Sequence, residues 1–508
     1  MTAHEPMEGP AAFAAARSSI AERDFSFRIG GDVIGAGRDS MVVEDPATEE
    51  ALTAFPLATP ADLDHAVEVA AEAGRSWGRL HWLDRARAMR QLADVLEEHA
   101  EELGRLDTFE AGLSIRTSVK DVQDAARSLR YFAGLGGEIV GRTQPWTPGS
   151  PFIHTSREPY GVVGKIVPFN HPVKFAAVKS AAALIAGNSV IVKPSEFSTL
   201  SALRLAELAD GVLPVGVFTV VPGRGDVGAA MAAHPGIPRI SFTGSVPVGS
   251  LVMKGAAAEI KHVSMELGGK NPMLVLADAD PIEAARAAVN SLDLFRSPGQ
   301  ACWSTSRVLL HESLQDPFLA ELQRFMATIR VGDPADASTD MGPLAYRGHY
   351  ERVLGMLEVG RAEGATVLVG GGRPAGLDRG FYLEPTVLVD VTPDMRVASE
   401  EIFGPVLSVL TWSDLDEAIR LANSIPLGLT AAIWTGDLAL GHSVAREIEA
   451  GVVWINTASA RPVGTPFGGY KRSGVGKEGT LEDVLSYTQE KAIITATVPL
   501  ERRPHSRT

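Results

Sequence analysis

Two patterns of apolar and polar positions run along the chain. In the first third, apolar residues recur three and four apart, the spacing of a helix face. Leu63, Val67 and Ala70 follow Thr59-Pro60, which supplies an N-cap and a proline suited to the first helical position. Met89, Leu92, Leu96 and Leu103 predict a second helix that stops at Gly104, and a third is expected over 120–132. Ahead of these, 27–56 alternates short apolar runs with Gly and Asp-Pro turns and reads as an edge hairpin. Residues 1–24, rich in Ala, Pro and Ser, are expected to form a flexible N-terminus, frayed or weakly helical.

From 161 the pattern changes. Runs rich in β-branched residues occupy 161–167, 189–193, 217–221, 239–243 and 273–277, with Ala-rich helix-like segments starting near His171, Leu200, Asp226 and Pro247. That alternation predicts an α/β chain with a doubly wound parallel sheet. Such sheets bind ligands at the carboxyl ends of their strands. Polar and Gly residues collect there: Asn170, 193–196, 223–228 and 243–245. A second alternation runs to about 456, with strands over 307–311 and 366–370 and helices over 315–329 and 350–363. The stretch 489–500 is extended and β-branched and reads as a tail that pairs with another subunit.

Length and composition narrow the field. With 508 residues the chain exceeds one ordinary core, so two or three domains are expected. A net charge of −15 disfavours nucleic acid or an anionic membrane as partner, yet leaves room for a small anionic substrate in a local basic pocket. No apolar run approaches a membrane span. The first 24 residues lack the basic start and apolar core of a secretory signal. With a single cysteine, the expected setting is the reducing cytoplasm.

That cysteine is Cys302, in Ser297-Pro298-Gly299-Gln300-Ala301-Cys302-Trp303. One thiol closes no disulfide within the chain and is a poor basis for a metal site, so no metal is expected. It is either a small buried hydrophobe or a nucleophile, and Gly299, able to adopt positive φ or approach a partner closely, favours the nucleophile. A free thiol ionises near pH ~8.5 and needs help near neutrality. Glu266, in Met265-Glu266-Leu267-Gly268-Gly269-Lys270, is a candidate general base or a loop cap. Asn170 is an oxyanion donor or a turn residue before Pro172. Gly223-Arg224-Gly225-Asp226-Val227-Gly228 fits G-x-G-x-x-G without a clear acidic residue after a following strand, so nucleotide contact and a plain strand–helix turn both stand. Thr243-Gly244-Ser245, with Gly249, suits a helix N-terminus that meets a pyrophosphate, or an ordinary cap by Ser245. Lys193 and Glu196 suit the hydroxyls of a ribose or a surface ion pair; a carboxylate there favours NAD over NADP.

Taken together, PFNHP (168–172), KPSE (193–196), FTGS (242–245), ELGGK (266–270), GQAC (299–302), EEIFGPV (400–406) and PFGGYKRSG (466–474) resemble the aldehyde dehydrogenase superfamily, NAD(P)-dependent and hydrolytic. The resemblance covers about 27–500. It implies an NAD-binding domain (25–140 and 160–270), a catalytic domain (271–472) and a small β oligomerisation arm (141–159 and 485–503), in a homodimer or homotetramer. It implies that Cys302 attacks an aldehyde, that Asn170 and the Cys302 N–H hold the oxyanion, and that Glu266 activates the water that releases the acid. Lys179 and Glu478 match a proton path. The implied cofactor set is Pro168, Lys193, Ser195, Glu196, Gly225, Gly244, Ser245, Gly249, Leu267, Glu401 and Phe403, for NAD with NADP less favoured. Departures from the family pattern fall near the aldehyde entrance: His171, Arg296 and Arg461, beside Phe175, Trp303 and Phe467. They suggest an anionic semialdehyde or an aryl aldehyde as substrate. Two other functions remain in view: acyl transfer to CoA, which needs no base for water, and a non-catalytic relative.

Overall fold

The computed structural model describes residues 9–35, 37–144, 147 and 150–496. Two sheets organise it. The first has six strands in the order Gly474–Val475, His262–Leu267, Arg239–Gly244, Val162–Ile166, Ser189–Lys193, Phe218–Val220. All run parallel except Gly474–Val475, which pairs antiparallel with His262–Leu267. The chain winds outward from Val162–Ile166 on one side, then returns to Arg239–Gly244 on the other. The topological switch point, where such sheets take their ligands, therefore lies between those two strands.

The second sheet has seven strands, in the order Thr366–Val369, Thr386–Val389, Val406–Trp412, Arg307–His311, Pro272–Val275, Thr430–Trp434, Val452–Ile455, with only Thr366–Val369 antiparallel. It is covered on both faces. Leu274 and Leu309 enter one apolar cluster, while Met273, Val275, Val308 and Leu310 enter another. This period of two with both faces buried explains why the strands read as continuous apolar runs. The run at 273–277 thus belongs to the second sheet, whereas the expected first sheet ended on it. The strand that completes the first sheet is His262–Leu267, which the apolar pattern hid because Ser264 and Glu266 interrupt it.

Three local expectations are corrected. Helix Pro10–Ala21 is docked: Phe13 and Ile20 are buried in the core, and Arg17 pairs with Asp45 at 2.5 Å and Asp333 at 3.0 Å. Within the 1–24 segment expected to be flexible, 10–21 is therefore ordered helix, and 1–8 lie outside the described residues. The second helix does not stop at Gly104. Trp82–Glu98 ends at His99, and Ala100–Ala111 continues to a left-handed cap at Gly112. Gly104 is there for packing, since a Cβ would come 2.8 Å from Val119. The 27–56 segment forms two separate two-stranded ladders, Phe27–Ile29 with Asp32–Ile34 and Ser40–Asp45 with Glu50–Pro56, rather than an edge of the large sheet. The Thr59 cap stands: Thr59 and Asp62 form a reciprocal capping box.

The C-terminal strand Thr488–Thr495 pairs antiparallel with Phe152–Pro159, apart from both large sheets. Of the expected arm over 141–159 and 485–503, residues 145–146, 148–149 and 497–503 lie outside the described residues. Among the described residues no helix is long and apolar enough to cross a membrane.

Candidate active site

Cys302 sits in the loop between helix Pro281–Ser291 and strand Arg307–His311. Gly299 has φ 73°, and a Cβ there would come 2.2 Å from the Gly404 carbonyl oxygen, so the turn requires glycine on both counts. Gln300 pins the turn: its Oε1 accepts from Ala345 N at 3.0 Å, and its carbonyl accepts from Asn170 Nδ2 at 2.7 Å. From the other side Asn271 Nδ2 donates to the carbonyls of Cys302 (2.7 Å) and Ser304 (2.9 Å). Asn271 Oδ1 accepts from Thr430 N at 3.1 Å. Asn271 escaped the sequence reading. Its position directly after Gly-Gly-Lys, at the start of a strand, was the one available signal.

Glu266 is the penultimate residue of strand His262–Leu267, so it is not a loop cap. It is buried, as are Asn170 and Lys179. Cys302 Sγ donates to Glu266 Oε1 at 3.5 Å, and Glu266 Oε2 accepts from Lys179 Nζ at 3.0 Å. Lys179 Nζ also donates to Glu478. Burial alone would push Lys179 down, but Glu266 and Glu478 more than offset it and hold the ammonium above its usual range. Burial would likewise raise Glu478, and Lys179 holds it down. The proton-path pair of the sequence reading is thus one ion-pair chain that ends on the candidate base.

The Cys302 thiol is half-buried. Burial pushes its pKa well above the usual thiol range, the Glu266 charge adds to this, and Lys179 opposes it. A raised pKa means little thiolate at neutral pH. Alkylation of Cys302 by iodoacetamide is therefore expected to accelerate about tenfold per pH unit through pH ~9 without a plateau. In Glu266→Gln, which removes the neighbouring charge, the profile should move to lower pH. A wild-type plateau at or below pH ~8 would contradict this electrostatic picture.

The predicted cofactor residues line the strand ends and the loops beside them. Ser245 precedes helix Val246–Ala257, but its side chain makes no capping hydrogen bond, which removes the plain-cap reading and leaves the first N–H groups open to an anion. Lys193 is buried; its Nζ donates to Pro194 O at 2.9 Å and lies 3.4 Å from Glu196, so the pair is not a surface one. Burial lowers Lys193 and Glu196 opposes. Gly225 has open space where a Cβ would stand. Gly244 and Gly249 instead serve packing, their positions crowded by Phe242 at 2.6 Å and Leu267 at 2.8 Å. Pro168 follows Val162–Ile166 at the switch point, and Ser195 Oγ accepts from Phe197 N at 3.3 Å. Glu401 accepts from Gly269 N at 3.1 Å and is pushed up to about 7 by burial. Phe403 holds φ 57°, its ring 5.9 Å from Phe169. An open helix N-terminus, a Lys–Glu pair at a strand end and a carboxylate deeper in fit the pyrophosphate and two riboses of a dinucleotide.

On the other side of Cys302 a cavity of about 410 Å³ reaches Asn170, Glu266, Phe175, Trp303, Phe467 and the thiol. His171, Arg296 and Arg461 line it as well. His171 is committed elsewhere: its Nδ1 lies 2.5 Å from Asp121, which also accepts from Lys174 at 2.6 Å. Asp121 was not foreseen. Burial would raise it, but Lys174 and His171 hold it far below the usual carboxylate range.

A thiol, a carboxylate and a side-chain amide share one cavity beside a dinucleotide-type sheet, the set expected of an oxidoreductase. The sequence profile of the Aldehyde dehydrogenase family matches residues 34–493, and the chain belongs to that family. It is 43% identical over 465 residues to the betaine aldehyde dehydrogenase of Brucella anthropi, covering 90% of this chain and 94% of the relative. Among solved structures, betaine aldehyde dehydrogenase from Staphylococcus aureus in complex with NAD+ matches with a TM-score of 0.92 at 34% identity, over 96% of this chain and 98% of that one. The NAD+ complex of an aldehyde dehydrogenase from Bacillus cereus matches with a TM-score of 0.92 at 36% identity, over 97% and 100%. The α/β fold expected from sequence is thereby established.

Proposed function

We propose that this enzyme oxidises an aldehyde to its carboxylic acid through a thioester on Cys302, with NAD as hydride acceptor. The observation that carries the reading is the contact of Cys302 Sγ with Glu266 Oε1, with Asn170 beside them. Glu266 takes the thiol proton as Sγ bonds to the carbonyl carbon. Asn170 Nδ2 carries two hydrogens. One is spent on Gln300, and the other, with the Cys302 N–H, donates to the new oxyanion. Collapse of the oxyanion expels hydride and leaves the thioester; NAD, when bound, supplies the acceptor for that hydride. Glu266, its proton passed outward by Lys179 and Glu478, then takes a proton from water, hydroxide adds to the thioester, and the Cys302 thiolate leaves as the acid forms. Lys193, Glu196, Ser245, Glu401 and Phe403 would hold the cofactor.

The NAD-binding domain, on this reading, is the six-stranded sheet with its helices, and the catalytic domain the seven-stranded sheet. The Phe152–Pro159 and Thr488–Thr495 ladder, with Ile493 and Ile494 exposed, would be the arm that joins subunits into a homodimer or homotetramer in the cytoplasm. The test is NADH formation with benzaldehyde, NAD and NADP side by side, and the acid assayed. Equal molar yields of NADH and benzoic acid, with NAD preferred, are expected. Formation of benzoyl-CoA in the presence of CoA, with no free acid, would replace water by a thiol as the acceptor.

A further inference from the structure

The wall of the aldehyde cavity carries an imbalance of charge. Apart from the Lys179, Glu266 and Glu478 chain and Asp483, its charged residues are Lys120, Arg127, Lys174, Arg296 and Arg461 against the single acid Asp124. Some of these cations are spent. Arg127 pairs with Asp124, and Lys174 with Asp121. Two guanidiniums have no hydrogen-bond partner among the described residues, Arg461 without any ion pair and Arg296 with only long ones. Arg461 has no ion pair or hydrogen bond within 4.0 Å among the described residues. Glu478, the cavity acid that it influences, is held by Lys179. Arg296 reaches Asp121 and Asp293 only at 3.9 and 4.0 Å, and both acids already accept closer bonds, Asp121 from His171 and Lys174 and Asp293 from Ser297 Oγ at 3.1 Å.

Both guanidiniums are seated on aromatic faces. Arg296 lies 5.2 Å from the centre of Trp303, and Arg461 lies 4.2 Å from the centre of Phe467. The two rings meet edge to face at 6.3 Å, and Trp303 directly follows the nucleophile. Stacking on a ring fixes a guanidinium without using its N–H groups, which stay free for a planar oxyanion. Arg is the side chain whose fork matches a carboxylate.

We propose that Arg296 and Arg461 bind the carboxylate of the substrate, so that this enzyme selects aldehydes that carry a carboxylate at the end of a flat or short apolar spacer lying along Trp303 and Phe467. This rests on the aldehyde oxidation proposed above. Betaine aldehyde, for which the Brucella anthropi and Staphylococcus aureus relatives are named, is a quaternary ammonium aldehyde and meets like charge on this wall. The spacer class, aryl or aliphatic, is separated by the probes.

The experiment compares kcat/KM for 4-carboxybenzaldehyde with benzaldehyde, succinic semialdehyde with butanal, and betaine aldehyde, all with NAD. At least one carboxylate-bearing aldehyde should exceed its neutral counterpart about tenfold or more, and betaine aldehyde should be poorest. The carboxylate preference should weaken at high ionic strength, because the guanidiniums are partly open to solvent. In Arg461→Gln and Arg296→Gln the preference should fall about tenfold, through KM more than kcat, with Arg461→Lys retaining part of it. Neutral aldehydes oxidised as well as their carboxylate partners, with no salt effect in the wild type, would overturn the proposal and leave aldehyde oxidation standing. Best turnover of betaine aldehyde would do the same. Absence of NADH from every aldehyde would remove both readings together.

Discussion

Cys302→Ala is expected to lose aldehyde oxidation by about 10⁴-fold or more, since the covalent route ends with the only nucleophile in the site. The fold should be little affected, because the loop is held at the Cys302 backbone carbonyl by Asn271, and the side chain adds only the long 3.5 Å contact with Glu266. Thermal unfolding should therefore stay within a few degrees of wild type, and NAD should still quench tryptophan fluorescence. Retained turnover at more than about a hundredth of the wild-type rate would mean that hydride leaves from an aldehyde hydrate without a sulfur adduct.

Glu266→Gln should have a different signature. Glutamine keeps the shape and an acceptor oxygen but cannot take a proton, so thioester hydrolysis loses general-base catalysis, an effect of about 10²–10⁴-fold. At alkaline pH, where more of the thiol ionises without a base, the variant should give a burst of NADH near one per subunit and then nearly stop. The burst is the diagnostic. A uniformly slow reaction with no burst would place the main role of Glu266 before hydride departure, in deprotonating the thiol. Lys179 complicates any simple substitution by Ala at position 266. That change would remove one of the two carboxylates that hold the buried Lys179 ammonium, leaving Glu478 alone, and loss of a buried charge partner destabilises the fold.

The residues of the chemistry were legible in the sequence because each sits in a short stretch whose local geometry is demanding. Gly299 is forced by its positive φ and by Gly404, and it marks the cysteine loop as special before any contact is known. The strand ends around 168–170, 193–196 and 243–245 were legible because β-branched runs announce them. What stayed hidden depends on partners distant in the chain. His262–Leu267 carries Glu266, but its polar Ser264 and Glu266 broke the apolar run that would have marked a strand. Asn271 looks like any asparagine until the cysteine loop and Thr430 close on it. His171 lines the cavity as expected, but nothing local showed that Asp121, on the neighbouring helix Ile115–Gly134, takes its Nδ1. The segment at 10–21 read as frayed or weakly helical because its apolar content gives no hint of Asp45 and Asp333, the two acids that hold Arg17.

In the proposed reaction the acyl group rests on Cys302 and leaves by water that Glu266 activates. The most direct measurement is the intact mass of Glu266→Gln, quenched in acid after one turnover with benzaldehyde and NAD, followed by peptide mapping. A benzoyl adduct is expected on the peptide that contains Cys302, absent without NAD and absent in the wild type at steady state. An unmodified Cys302 peptide, with stoichiometric NADH formed, would contradict it.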